Sequence, residues 1–154
     1  MKVSTARTMP GGRVDRDKLA KGPTGLALCR WCSLEVPPPK RTFCSAWCVH
    51  EWKLRTDPGY LRDCVLKRDK AICAECRADT HEAWLRLKRA RGERLTLMLA
   101  KWGMAKMNRR TLWDADHIVP VVEGGGECDL SNIRTLCVNC HRSATQALRE
   151  RRRA

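Results

Sequence analysis

Cysteine pairing constrains this chain more than any other feature. Ten cysteines occur in 154 residues, and eight of them form four close pairs: Cys29-x2-Cys32, Cys44-x3-Cys48, Cys73-x2-Cys76 and Cys137-x2-Cys140. A close pair grips a tetrahedral ion from one knuckle, and two knuckles close the cage. Cys29, Cys32, Cys44 and Cys48 lie within one short stretch and are expected to hold a first zinc ion. Cys73 and Cys76 are far from Cys137 and Cys140, but no other pair is left to match either half, so these four are expected to hold a second. Both ions would be structural, since four thiolates leave no open position. The competing readings are disulfides or buried thiols. Cys64, on an apolar helix face, reads as a small core residue, and Cys128 is unassigned.

Compartment decides between metal and disulfide. The opening MKVSTARTMPGGRVDRDK contains no apolar h-region, so no secretory signal is read there, and no window approaches the length of a membrane span. The expected setting is therefore intracellular and reducing: cytoplasm or nucleoid, or the nucleus of a eukaryote. Aromatic residues make up only 5% of the chain, and a core so poor in large rings favours metal staples. Lys and Arg number 31 against 17 acids, a net charge of +14. That surplus points to phosphates, and so to DNA, ahead of an anionic membrane surface.

Residues 1–27, with scattered Gly and Pro and no period of 3.6 or 2, read as a flexible basic arm. A zinc-binding module follows over 28–56. Asp57-Pro58 is an N-cap with proline at the first helical position, opening a helix that ends near Lys70. Asp79 with Glu82 starts a second helix to about Arg91, broken by Gly92. Leu95, Met98, Leu99 and Trp102 define a third, stopped by Gly103. From Trp113 the texture changes to strand, glycine-rich turn (Gly124, Gly125, Gly126), a second strand over Leu130–Leu136 and a closing helix from His141. Residues 57–113 are thus helical and basic, 113–148 a compact mixed unit, and 149–154 a basic tail. Arg86, Lys88, Arg89, Arg91, Arg109, Arg110, Arg142, Arg149, Arg151, Arg152 and Arg153 are the candidate phosphate contacts.

The pentapeptide Cys137-Val-Asn-Cys140-His141 has a second meaning, because Cys-x2-Cys-His is also the spacing of a covalent haem site. Haem attachment would require export, and Cys73-x2-Cys76 is followed by Arg77 rather than histidine. His141 is then the residue a zinc cage does not need. Asp116, His117 and Asn132 lie nearby in sequence. On an extended strand Asp116 and His117 point to opposite sides, so a turn or bulge is required before they share a site.

Asp116-His117-Ile118-x-Pro120, the triple-glycine loop, Ser131-Asn132 and Leu136-Cys137-x2-Cys140-His141 together resemble the HNH endonuclease family, a ββα-metal fold. The upstream stretch RTFCSAWCVHEWKLRTDPGYLRDCVLKRDKAICAEC extends the resemblance to the HNH region at the C-terminal end of certain annealing helicases, including a basic helical insertion between the zinc halves. This sequence carries no P-loop, so ATP-driven remodelling is not expected of it. The resemblance implies an α+β, zinc-stapled fold, with an HNH nuclease domain over 57–154 built on a ββα-metal core. It implies His117 as the general base, Asp116 and His141 as ligands of a catalytic divalent ion, and Asn132 as the residue that orients the base or completes the site. Mg²⁺ or Mn²⁺ would serve, with Ni²⁺ a third candidate for the histidine ligand. Many colicin-type relatives place another histidine four residues after the His141 position, where this chain has Thr145. The expected activity is metal-dependent, structure-selective DNA cleavage; the alternative is a catalytically silent, zinc-stapled DNA-binding module. A targeting protein partner is compatible with either, and the sequence does not fix the oligomeric state.

Overall fold

The computed structural model describes residues 6–7 and 14–153. Its elements are α1 (Ala46–Thr56), α2 (Pro58–Asp69), α3 (Thr80–Arg89), α4 (Gly92–Lys101), β1 (Trp113–His117), β2 (Ile133–Cys137) and α5 (Val138–Arg151), with 3-10 turns at Arg16–Lys18, Val121–Glu123 and Leu130–Asn132. Contacts divide the chain into two units, residues 1–62 with 126–129, and 63–125 with 130–154. The boundary therefore falls inside α2, not at the 56/57 junction read from the sequence.

The first unit is built on its cysteines. Cys29, Val36 and Cys48 are buried, with Trp31, Cys32, Phe43 and Cys44 packed against them. Ser45 caps α1 by accepting from Cys48 N–H at 3.1 Å. The described part of the expected flexible arm is instead folded. Lys21 pairs with Ala27, and Leu28 N–H donates to Ala20 O at 2.7 Å. Gly22, Pro23 and Gly25, read as marks of flexibility, make the turn of this small hairpin, with Gly25 at φ +82°. The Glu35 carboxylate fastens the turn, accepting from Thr24 N–H and Oγ1–H at 2.8 Å each. Residues 1–5 and 8–13 of the arm lie outside the described residues.

In the second unit β1 and β2 form an antiparallel pair with Asp116 opposite Arg134 and Ala115 opposite Thr135. Local signals place the surrounding helices. Asp79 accepts from Glu82 N–H at 2.8 Å and starts α3 one residue on. Gly92 does not simply end that helix: at φ +55° it turns the chain and becomes the first residue of α4. Gly103, at φ +60°, closes α4 with Met104 N–H on Leu99 O and Gly103 N–H on Ala100 O, a Schellman arrangement. Leu99 and Met104 then join Leu87, Trp102, Leu112, Leu136, Cys137 and Val138 in the core. Asn139 Nδ2 and Arg142 Nη1, on α5, donate to Lys101 O and Trp102 O at 3.0 and 2.9 Å, satisfying carbonyls at the α4 end.

The free edge of β2 is covered from within the same unit. Asp69 accepts from Thr135 N–H and Oγ1–H at 3.1 and 2.9 Å, and Ala74 N–H donates to Thr135 O at 2.8 Å. Arg68 pairs with Asp69 and reaches the Leu130 and Ile133 carbonyls at 2.6 Å each. Hydrogen bonding and charge from Arg68, and the two Thr135 donors, outweigh burial and hold the Asp69 carboxyl below the usual carboxylate range. Asp69→Asn is expected to lower stability by about 1–3 kcal/mol at neutral pH. Because the folded value is depressed, Asp69 contributes fully above its unfolded value of about 4 and loses that contribution as pH falls through the folded value. The variant's deficit in thermal unfolding should therefore shrink on acidification; a deficit that grows would contradict the linkage.

Candidate active site and metal centres

The two cysteine sets each converge. Cys29, Cys32, Cys44 and Cys48 place their sulfurs within 4.8 Å of one another, and so do Cys73, Cys76, Cys137 and Cys140. Sulfur separations of 3.4 Å (Cys32–Cys44), 3.4 Å (Cys44–Cys48) and 3.7 Å (Cys76–Cys137) approach the roughly 3.8 Å expected for two thiolates on one tetrahedral zinc ion. The two knuckles are also built alike. Cys29 N–H donates to Leu34 O and Ser33 N–H to Cys29 O; Cys73 N–H donates to Ala78 O and Arg77 N–H to Cys73 O. Ser33 and Arg77, at the matching position, both have positive φ, 59° and 61°. In each set the second pair sits at a helix N-terminus: Cys44 and Cys48 at α1, Cys137 and Cys140 at α5. Helix N-termini favour negative charge.

Crowding sets the thiol chemistry of the cages. Burial pulls Cys29 up, yet the backbone N–H groups of Cys32, Cys44 and Trp31 prevail and bring it to about 7. Cys73 also stands at about 7, with the Cys137, Cys76 and Glu75 backbone outweighing burial. Hydrogen bonding to Cys32 and Cys48 pushes Cys44 up to about 12, and burial with the neighbouring thiols pushes Cys140 up. One thiolate thus forms readily in each cage and opposes the next, which is the electrostatic need a divalent cation meets. Both sets could hold zinc.

Between the strand pair and α5 lies a groove of about 750 Å³ lined by Glu75, Asp116, His117, Arg134, His141 and the loop after β1. Strand alternation puts Asp114 and Asp116 on one face of β1. His141 comes to that face from α5, with Nε2 3.6 Å from Asp116 Oδ1 and Nδ1 3.3 Å from Asp114 Oδ2. His117 is the last residue of β1, and the chain turns there, so it lines the same groove as Asp116 despite adjacent positions. His141 is the fourth residue of α5, because the helix starts at Val138, three residues earlier than the sequence reading placed it.

Asn132 holds the loop that follows His117. Its Nδ2 donates to Val119 O and its Oδ1 accepts from Val119 N–H, both at 2.9 Å, clamping the loop that follows His117. Gly125 folds back against the same clamp. A Cβ there would collide with Val119 O and lie 2.7 Å from Asn132 Nδ2. Gly125→Ala is expected to displace the loop and cost about 1–3 kcal/mol, read by thermal unfolding; an unchanged midpoint would contradict the clamp.

Thr145 donates its hydroxyl to His141 O at 2.9 Å. Arg134, which the sequence reading missed, also faces the groove. Arg134 stands opposite Asp116, with Nε 3.5 Å from Asp116 Oδ2, and pairs on its other side with Glu75 in the second knuckle. Asp114 was missed although the alternation of Trp113-Asp-Ala-Asp-His117 was available as a signal. Among the candidate phosphate contacts, Arg109 is committed to Asp114, Arg142 to Trp102 O, Arg86 to Glu82 and Arg151 to Glu123. Lys88, Arg89, Arg91 and Arg110 are exposed. Arg149, Arg152 and Arg153 line a second hollow with Thr145 and Leu148, both of which also line the main groove.

Two strands, a glycine-bearing loop and a helix carrying the histidine are the ββα arrangement, and the family description HNH endonuclease matches residues 105–147, where all three lie. The chain contains an HNH endonuclease family region. It is a small α+β protein with two four-cysteine clusters. It is similar to the DNA annealing helicase and endonuclease ZRANB3 of Mus musculus, 35% identical over 82% of this chain, and to that of Homo sapiens, 35% identical over 67%. The chain spans 14% of the mouse protein and 11% of the human one. The crystal structure of the human ZRANB3 HNH domain is 30% identical, covers 64% of this chain and 98% of its own, and gives a TM-score of 0.49. No helix among the described residues is long and apolar enough to cross a membrane.

Proposed function

We propose that the chain is a metal-dependent DNA endonuclease that hydrolyses phosphodiester bonds in the groove between β1 and α5. The observation that carries this reading is the convergence of Asp116, His117 and His141 on one groove, with the Asp116 and His141 donor atoms 3.6 Å apart. Two ligands each about 2.1 Å from one ion lie roughly 3–3.6 Å apart, so this donor pair fits a shared divalent cation. Mg²⁺ or Mn²⁺, with Ni²⁺ as a third candidate, would supply charge neutralisation at the phosphate and the departing 3′ oxygen. Asp116 and His141 would hold it. His117 accepts the proton of the attacking water, a task suited to imidazole near neutral pH. Asn132 acts at one remove, by fixing the Val119 loop beside His117.

Zinc in the two cysteine cages has a mechanical part. Cys137 is the N-cap of α5 and Cys140 lies in its first turn, one residue before His141. The cage therefore fixes the helix end that aims His141 at β1. Arg149, Arg152 and Arg153 beside the groove, with the net charge of +14, supply the phosphate-tracking surface. The similarity to the DNA annealing helicase and endonuclease ZRANB3 supports a preference for flapped or branched DNA. This reading sets the chain in an intracellular compartment that holds DNA.

The test is a panel of supercoiled, linear, flapped and branched DNA with the zinc-loaded protein across Mg²⁺, Mn²⁺ and Ni²⁺. Nicking that depends on the added ion and stops with EDTA is expected. DNA binding that weakens steeply with salt but never leads to cleavage would instead establish the silent binding module.

A further inference from the structure

His141 has two ring nitrogens, and a metal site needs one of them deprotonated and aimed. Given the reading of His141 as an ion ligand above, that choice has to be fixed by a neighbouring group. Asp114 lies two residues before Asp116 on the same face of β1. Its Oδ2 is buried and has no hydrogen-bond partner among the described residues, yet it stands 3.3 Å from His141 Nδ1. Its Oδ1 is held by Arg109 Nη2, and Arg109 Nε donates to Thr111 O at 3.2 Å. A buried carboxylate oxygen without a donor is costly, and the nearby imidazole N–H is the group that can satisfy it.

We propose that Asp114 is a positioning residue for His141. Its carboxylate accepts a hydrogen bond from Nδ1–H, so the Nε2 lone pair faces Asp116 Oδ1, and Arg109 keeps the carboxylate in place. Arg109 is thereby assigned to the site's framework instead of to DNA. Strand alternation explains the economy of the arrangement: one face of β1 supplies the ligand at Asp116 and the orienting group at Asp114, while His141 spans both.

Two readouts test this without relying on cleavage. The first is the long-range ¹H–¹⁵N spectrum of the zinc-loaded protein, recorded with no further ion. His141 should be the Nδ1–H tautomer in wild type, and Asp114→Leu should shift it toward a mixture; an Nε2–H tautomer in wild type would overturn the proposal. The second is Mn²⁺ titration followed by electron paramagnetic resonance. Asp114→Leu should weaken Mn²⁺ binding about 10–100-fold at unchanged zinc content, with Asp114→Asn intermediate because it keeps one acceptor oxygen. In a His141→Ala background Asp114→Leu should cause no further loss. Wild-type affinity in Asp114→Leu, or full additivity with His141→Ala, would overturn the assignment. Should the leucine variant not fold, the asparagine variant carries the same comparison. Wild type that takes up no Mn²⁺ in the groove would instead sink the proposed ion site itself.

Discussion

Replacing Cys73 with serine is expected to lower the zinc content from two ions per chain to one and to unfold the second unit. Cys73 is fully buried and belongs to the same core as Leu87, Leu112, Leu136 and Cys137. A structural zinc ion in a small domain contributes apparent binding free energy of about 10–16 kcal/mol, comparable with or larger than the whole stability of a typical domain, about 5–15 kcal/mol. A serine hydroxyl is a poor zinc ligand, so the loss is not made good locally. The knuckle around Cys73 also fastens β2 through Ala74 N–H and Thr135 O, so the sheet loses a support together with the ion. Metal analysis and thermal unfolding read both consequences. Cys64→Ser, at a half-buried cysteine outside both clusters, should retain two zinc ions. Two ions retained in Cys73→Ser would remove the second cage from the account.

His117→Ala is the variant with the largest expected effect on chemistry. A positioned general base contributes about 10²–10⁴-fold to rate, so single-turnover cleavage should fall by that factor. Zinc content, unfolding midpoint and DNA binding should stay close to wild type, because the imidazole is at the end of β1 and outside the buried core. Loss of cleavage together with loss of fold would not identify a base. Cleavage at the wild-type rate by a folded His117→Ala protein would remove His117 from the mechanism.

Features specified by neighbouring residues were legible in the sequence. The eight paired cysteines, the proline-led start of α2, the Asp79 cap and the Leu95–Trp102 face all depend on local chemistry, and the structure contains each of them. Gly22, Pro23 and Gly25 were misleading because the same residues mark loose chain and tight turns. What made them a turn is Glu35, a residue several positions further on. The His141 helix begins at Val138 because Cys137 serves as its cap, a role that its cysteine-ligand pattern concealed. The shared face of Asp114 and Asp116 could be read from strand alternation, but the partners of Asp114 and Arg134 could not. They depend on strand register and on where α5 returns to the sheet, and neither is set by local sequence. Arg109 and Arg142 were read as phosphate contacts from charge alone; in the structure Arg109 pairs with the half-buried Asp114 carboxylate and Arg142 Nη1 donates to the Trp102 carbonyl.

The proposed mechanism requires an exchangeable divalent ion at Asp116 and His141, separate from the two cysteine clusters. Anomalous diffraction from crystals of zinc-loaded protein soaked in Mn²⁺, recorded so as to separate manganese from zinc, tests it most directly. A manganese peak bonded to both the Asp116 carboxylate and the His141 imidazole is predicted, with zinc at the two cysteine clusters. A groove without manganese, in protein that cuts DNA with Mn²⁺ in the same buffer, would contradict it.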